Sequence, residues 1–367
     1  DDFRAVPLGD GYFWVLRPTW GDENRSAYGV VDEAAKMNLN TAPAEVLEYL
    51  PGIETDLAYA IPDWRDPDSD TGENGAEDEY YLALEKPYHA KNGPFDSVEE
   101  LLLIRGATRE VLYGPNAPTG GPRNQATRDT TGLDTNLLKG LFAYLTVYSS
   151  EPNTDAQGTA RVNVNDQDRQ PLRNLLTEAL DAQRAEVVMA MASMRGPPFM
   201  DVFDFARRVG LTNEELDLVY DRLTTEAAAT IPGRINVLTA PREVLAALPG
   251  VGEAGADAII AKRAGVTDRS KISWLLEAMT GGATPGLGRM ITTRSHQFAA
   301  EILAVSGDGR AYRRVRIVVD ASQSPAKIVY RRDLTSLGWP LAPEILQSLR
   351  DGNGLIDASI PPSGGAL

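Results

Sequence analysis

KMNLNTAPAEVLEYLPGIETDLAYAIPDWRDPDSDTGENGAEDEYY, residues 36–81, decides how the rest of the chain is read. A short apolar step, Lys36–Leu39, runs into Asn40-Thr41-Ala42-Pro43. Thr41 reads as an N-cap, Pro43 suits a first helical turn, and Glu45 sits where the helix dipole favours an acid. Val46, Leu47 and Leu50 form an apolar face, and Pro51-Gly52 stops the helix. A second helix is predicted over Leu57–Trp64, with Pro62 bending or ending it. The stretch then runs into a dense acidic loop.

That loop carries the sharpest chemical signal. Asp66, Asp68, Asp70 and Glu77 occupy positions 1, 3, 5 and 12 of a twelve-residue window, the ligand spacing of an EF-hand calcium loop. The turn glycine departs from that pattern, since Gly72 is at position 7 and Thr71 at position 6. Three aspartates within five residues repel one another, and only a cation or full solvation offsets this. A merely solvated acidic loop is the competing reading. Asp78 and Glu79 add further charge and favour a structural calcium ion, while magnesium prefers fewer protein ligands and more water.

Helix, Leu-Pro-Gly-Ile turn, helix is a helix–hairpin–helix pattern, and weaker echoes of the first part of the 36–81 stretch recur at Val162–Leu172 and Ile235–Arg263. Such units often bind DNA through the amides of a glycine turn. Here the first turn lacks a second glycine and carries Glu54 and Asp56, while the second, Gly250-Val-Gly252, is followed by Glu253 and Asp257. The formal net charge is −16, and residues 51–100 hold 14 acids against Arg65, Lys86 and Lys91. A phosphate backbone is repelled by such a surface, so the pattern reads as a packing unit. A helix–hairpin–helix nucleic-acid binder is the alternative reading.

Outward from this stretch, Tyr12–Arg17 and Ala27–Val31 read as strands joined by a turn over 18–26. Ser97-Val-Glu-Glu100 is a capping box heading a helix through Arg105, and Gly114–Thr131 is loop. Pro171–Met194 reads as one helical stretch. Phe298–Val305 and Tyr312–Asp320 are alternating strands joined by Ser306-Gly-Asp-Gly309, and Ala326–Arg332 is a third strand. The alternating arginines among Arg310, Arg313, Arg314, Arg316, Lys327, Arg331 and Arg332 read as the solvated side of that sheet. A β frame at both ends thus encloses a large helical insert.

There is no cysteine, so thiol catalysis and thiolate metal sites are excluded. His89 and His296 are the only histidines and read as ordinary polar positions. No nucleophile triad, phosphate loop or other catalytic motif appears, and the reading is not an enzyme. No stretch reaches the ~18 apolar residues of a membrane span. The abrupt start at Asp1 reads as a mature fragment or a truncated chain.

Lys36–Ala42, Leu50–Ile53, Ile61–Asp66, Gly75–Tyr81 and Lys91–Phe95 with Val98–Leu101 occur in an order that resembles the K-type minor pseudopilins of type II secretion systems. The likeness is dense over 27–113 and resumes at 233–263 and Ser295–Phe298. It implies an α+β fold, a pseudopilin-type antiparallel β scaffold with a large inserted α-helical domain containing helix–hairpin–helix-like units. The scaffold would comprise residues 1–35 and 291–340, the insert 36–290 with a variable part at about 114–230, and a tail 341–367. The resemblance further implies calcium held by Asp66, Asp68, Asp70, Glu77 and Asp78. It implies a place at the pseudopilus tip with the I- and J-type minor pseudopilins, where assembly starts and export across the outer membrane is supported. Secreted substrates and the outer-membrane secretin are further conceivable contacts; nucleic acid is not a partner. It also implies a periplasmic location and an N-terminal hydrophobic helix, absent from these residues, in the inner membrane.

Overall fold

A computed structural model describes residues 3–18, 28–114, 139–194, 196–279 and 282–355. Most of the turn expected over 18–26, of the loop over 114–131 and of the end of the tail lies outside the described residues. Contacts group the chain into two compact units, one of residues 1–33, 51–145 and 296–367, the other of 34–50 and 146–295. Residues 51–145, expected in the insert, therefore group with the strands.

The first unit is built on a six-stranded sheet: β1 (Val6–Leu8), β2 (Gly11–Leu16), β3 (Val31–Asp32), β4 (Gln297–Val305), β5 (Tyr312–Asp320) and β6 (Lys327–Asp333). The order is β1-β2-β4-β5-β6, with β3 also pairing β4, and every pairing is antiparallel. Adjacent strands in sequence explain the β4–β5 hairpin, whose turn closes through Ser306 and Ala311. Gly307 is required there, because a Cβ would stand 2.0 Å from the Asp10 carbonyl oxygen.

Period-two alternation gives the sheet two different faces. On one, Trp14, Leu16, Leu303 and Val305 pack under Leu341, Ala342, Ile345, Leu346 and Leu349. The last three belong to the helix Pro343–Arg350, so this part of the expected tail is core. Further along the same face Arg314 and Arg316 are buried, each paired with Glu301 at 2.6–2.8 Å. Their alternation was expected to mark the solvated side; the register turns them inward, where a buried carboxylate compensates them. The opposite face carries Phe13, Val15, Phe298, Ile302, Val315, Ile317 and Val319, all half-buried.

Glu99 explains why residues 51–145 group with this sheet. It lies in the 3₁₀ helix Val98–Leu103, is 3.5 Å from Arg316, and pairs also with Arg332. Arg316 in turn lies over the Phe142 ring, 4.5 Å from its centre. The capping box predicted at Ser97 and Glu100 forms, but the turn it starts is 3₁₀ rather than α.

The second unit repeats one local device three times. The side-chain oxygens of Asn38, Asn163 and Asn236 accept the backbone N–H of Asn40, Asn165 and Leu238 at 2.8–2.9 Å. The residue after each asparagine donates to a threonine carbonyl: Leu39 to Thr146, Val164 to Thr224 and Val237 to Thr292, at 2.8–3.0 Å. Each threonine Oγ1 then accepts the N–H two residues on, at 3.0–3.1 Å. The echoes seen in the sequence are thus the opening half of a unit whose closing half is a Leu/Ile-Thr step.

Helices fill the intervals. The stretch predicted over Pro171–Met194 is two helices, Gln170–Ala179 and Ala182–Ala192. Asp181 breaks it, because its carboxylate accepts the Arg184 N–H and starts the second helix afresh. Among the described residues no helix is long and apolar enough to cross a membrane.

Candidate metal centre

The acidic loop begins where the helix Thr55–Arg65 ends. Pro62 lies in its last turn, and the Asp66 N–H still reaches the Pro62 carbonyl at 3.0 Å. Asp63 and Asp66 are three residues apart on this end of the helix, so they share one side of it. Asp63 is buried, and its Oδ2 accepts the Gly72 N–H at 3.1 Å. Gly75 presses against the same carboxylate so closely that a Cβ would stand 1.9 Å from Oδ2. The loop is folded back over Asp63.

Glu77 is 2% exposed, and neither of its carboxylate oxygens has a hydrogen-bond partner. Burial pushes its carboxyl up to about 7, and the charges of Asp63, Asp66 and Asp78 push the same way. Asp66 is raised by burial and then by Asp68 and Asp63; the Arg65 charge opposes this only as a smaller effect. One oxygen of Asp66 is also buried without a partner. Asp63 is raised by burial, with hydrogen bonds from Gly72 and Ala76 pulling it back. Three neighbouring carboxyls are therefore desolvated together, against a strong preference for water or a counter-charge.

The remaining expected residues sit differently. Asp68 and Asp70 are exposed, and Asp68 Oδ1 accepts the Asp70 N–H at 3.0 Å. Asp78 has both oxygens engaged, by His89 Nδ1 and by the Ala90 N–H, each at 2.7 Å. The His89 hydrogen bond, first, and that of Ala90 hold its carboxyl below the usual range. Among the described residues no three acidic or histidine side chains already converge in ligand geometry. What does stand together is a donor set of hard oxygens, with both oxygens of Glu77 and one of Asp66 buried and partnerless, which fits a calcium ion better than a softer metal.

Asp63 lies outside the twelve-residue window that begins at Asp66, which is why the spacing misses it. The Asp-Trp-Arg-Asp step at a helix end is the signal that finds it. Around the site, Trp64 and Tyr88 pack on Tyr81 with ring centres 5.3 and 5.4 Å away. Arg105 donates to the Gly75 carbonyl at 3.0 Å and pairs with Asp56. An open cavity of about 440 Å³ lies against Gly75, Glu77 and Tyr80.

The second glycine turn, Gly250-Val-Gly252, offers no comparable site. Thr284 seats on it, its Oγ1 donating to the Pro249 carbonyl at 2.6 Å, and a Cβ at Gly250 would stand 2.1 Å from the Thr284 methyl. Lys262 pairs with Glu277, and Arg263 donates to the Ala240 carbonyl, both at 2.6 Å. These cations serve the fold.

Residues 36–113 match the family profile described as type II secretion system protein K. Over 88 residues the chain is 36% identical to the type II secretion system protein K of Pectobacterium carotovorum subsp. carotovorum. That match covers 22% of this chain and 27% of the relative, so the chain spans about a quarter of that relative's length. Among solved structures, the GspK–GspI–GspJ complex of the enterotoxigenic Escherichia coli type 2 secretion system aligns at 13% identity and a TM-score of 0.37. The alignment covers 91% of this chain and 83% of that one.

Proposed function

We propose, from the match of residues 36–113 to the type II secretion system protein K profile, that the chain is a minor pseudopilin. It acts by protein–protein contact at the pseudopilus tip, with I- and J-type minor pseudopilins as partners, and it catalyses nothing. It works in the periplasm and supports export across the outer membrane by helping start pseudopilus assembly. The carrying observation is the match of residues 36–113 to the protein K profile, a stretch that includes the acidic loop folded back on Asp63.

Calcium is the proposed occupant of that pocket. Asp63, Asp66 and Glu77 would hold it, with Asp68, Asp70 and Asp78 nearby as further oxygens. Bound there, the ion would neutralise carboxylates that otherwise repel one another and so pin the loop to the helix end. Sites of extracellular modules bind calcium at about 0.1–1 mM, which suits a periplasmic address.

The hydrophobic helix expected before Asp1 would have a surface to lie on. The half-buried strip of Phe13, Val15, Phe298, Ile302, Val315, Ile317 and Val319, bordered by the charged Arg313, Arg331 and Asp333, lies on the side of the sheet away from the helix Pro343–Arg350. The two glycine-turn units are proposed to be helix–hairpin–helix-like packing elements.

Mixing the chain with soluble I- and J-type pseudopilin domains and measuring mass by light scattering tests the assignment. One copy of each in a single species is expected. Three species that stay separate at micromolar concentration would remove it.

A further inference from the structure

We propose that Asn92 is a positioning residue that ties calcium occupancy of the acidic loop to the outer strands of the sheet. The proposal rests on the calcium reading above. Residues 88–97 form a strap without regular structure, and one side of it is held by the acidic region. Asp78 holds His89 and Ala90 at 2.7 Å each, and Tyr88 stacks on Tyr81. Asn92 Nδ2 donates to the Asp68 carbonyl at 2.6 Å and reaches Ser69 Oγ at 3.2 Å. Asn92 thus grips the backbone of the loop between two of its aspartates.

Its conformation is bought at a cost. Asn92 has φ +47, the left-handed region that asparagine tolerates better than most residues but that still stores strain. A glycine would hold that turn more easily, so its side chain has a reason to be there. The amide contact to the loop is the one visible, and Asn92 Oδ1 is buried without a partner beside it.

The far end of the strap reaches the sheet. Lys91 joins Asp96 and Glu100 at 2.8 and 2.7 Å, and Glu100 Oε1 accepts the N–H groups of Asp96 and Ser97. This fixes the start of the 3₁₀ helix Val98–Leu103, which carries Glu99 to Arg316 of β5 and Arg332 of β6. Without a cation, repulsion among Asp63, Asp66 and Asp68 loosens the segment that Asn92 holds. The strap then relaxes, and Glu99 no longer restrains β6, an edge strand exposed on both faces. The coupling is reciprocal: whatever holds β6 in place also tightens calcium.

Hydrogen–deuterium exchange in calcium and in chelator tests this on the whole chain, with calcium titration calorimetry alongside. In the wild type, calcium is expected to slow exchange at 66–78, at 88–103 and at 327–333, by about fivefold or more for a working coupling. Asn92→Gly keeps the backbone turn and removes the grip; it is expected to bind calcium and protect 66–78 while 327–333 no longer responds. Glu99→Gln is expected to leave 88–97 responsive and uncouple only 327–333. A wild type that binds calcium without any change at 327–333 overturns the coupling and leaves the calcium site standing. Coupling that persists in Asn92→Gly, or an Asn92→Gly chain that loses calcium binding outright, also overturns it. No heat and no protection at 66–78 in the wild type would remove the calcium site and the coupling together.

Discussion

Glu77→Gln should change the sign of its effect on stability with the presence of calcium. Glu77 is buried with both oxygens partnerless, and its carboxyl is raised from 4.5 to about 7. A carboxyl raised in the folded state binds its proton more tightly there than in the unfolded chain. Stability is therefore greatest below the ordinary value near 4.5 and falls as pH rises toward 7, where the folded state too must ionise. At ~1.4 kcal/mol per pH unit the full cost at pH 8 is about 3 kcal/mol. Solvent screening and the unmatched donors of a buried amide reduce the gain from Glu77→Gln to about 1–2 kcal/mol. In chelator at pH 8 the variant should melt higher than the wild type, by about 2–4 °C per kcal/mol. At pH 5 in chelator that advantage should be lost, because Glu77 is then protonated in the folded state. With millimolar calcium at pH 8 the order should reverse, since the ion gains a carboxylate that the variant lacks. Differential scanning calorimetry over these conditions reads all of this. A variant that melts lower by the same amount in chelator and in calcium refutes the reasoning, because Glu77 would then be an ordinary buried polar group.

Gly75→Ala forces a Cβ to 1.9 Å from Asp63 Oδ2, so it should displace that carboxylate and abolish any calcium-induced rise in melting temperature. Glu301→Gln leaves Arg314 and Arg316, each 4% exposed, without their shared anion and should cost about 3–5 kcal/mol in chemical denaturation. Asp217 accepts the N–H groups of Ile272 and Ser273 at 2.9 and 2.8 Å, capping the helix Ser273–Ala278 from a distant element. Asp217→Ala should therefore cost about 1–3 kcal/mol, read as faster hydrogen exchange at 272–278. Asn236→Ala removes the bonds to Leu238 and Ser295 together and should destabilise the second unit by about 1–3 kcal/mol in urea.

Much of the local order was legible before any coordinates. The Ser97–Glu100 capping box, the Pro51-Gly52 stop, the turn at 306–309 and the three strands after residue 297 depend on neighbours in the chain, and local chemistry specified them. Pro171–Met194 misled because its apolar period continues through Asp181, whose capping preference is stronger than the period suggests. Arg314 and Arg316 misled for a different reason, while Arg313 is exposed as expected. Alternation says which residues share a face, but not which face is covered, and that is decided by Glu301 one strand away and Glu99 more than two hundred residues before.

The acidic loop divides in the same way. Its charge and the Asp66 to Glu77 spacing are properties of the sequence alone, and they determined where a cation would be sought. Which carboxylates lose their water is a property of the fold. Asp63 is desolvated because the loop closes over the end of its helix, while Asp68 and Asp70 stay in solvent and Asp78 turns to His89 and Ala90. The same holds for residues 36–46: Thr41 was expected to cap the first helix, but that helix is Ala44–Leu47 with Pro43 before it and no side-chain cap, and the partner of Leu39 is the Thr146 carbonyl, more than a hundred residues on. Sequence determines capping, turns and charge because these act within a few residues. Burial and pairing between distant residues depend on chain closure, and only the tertiary structure decides them.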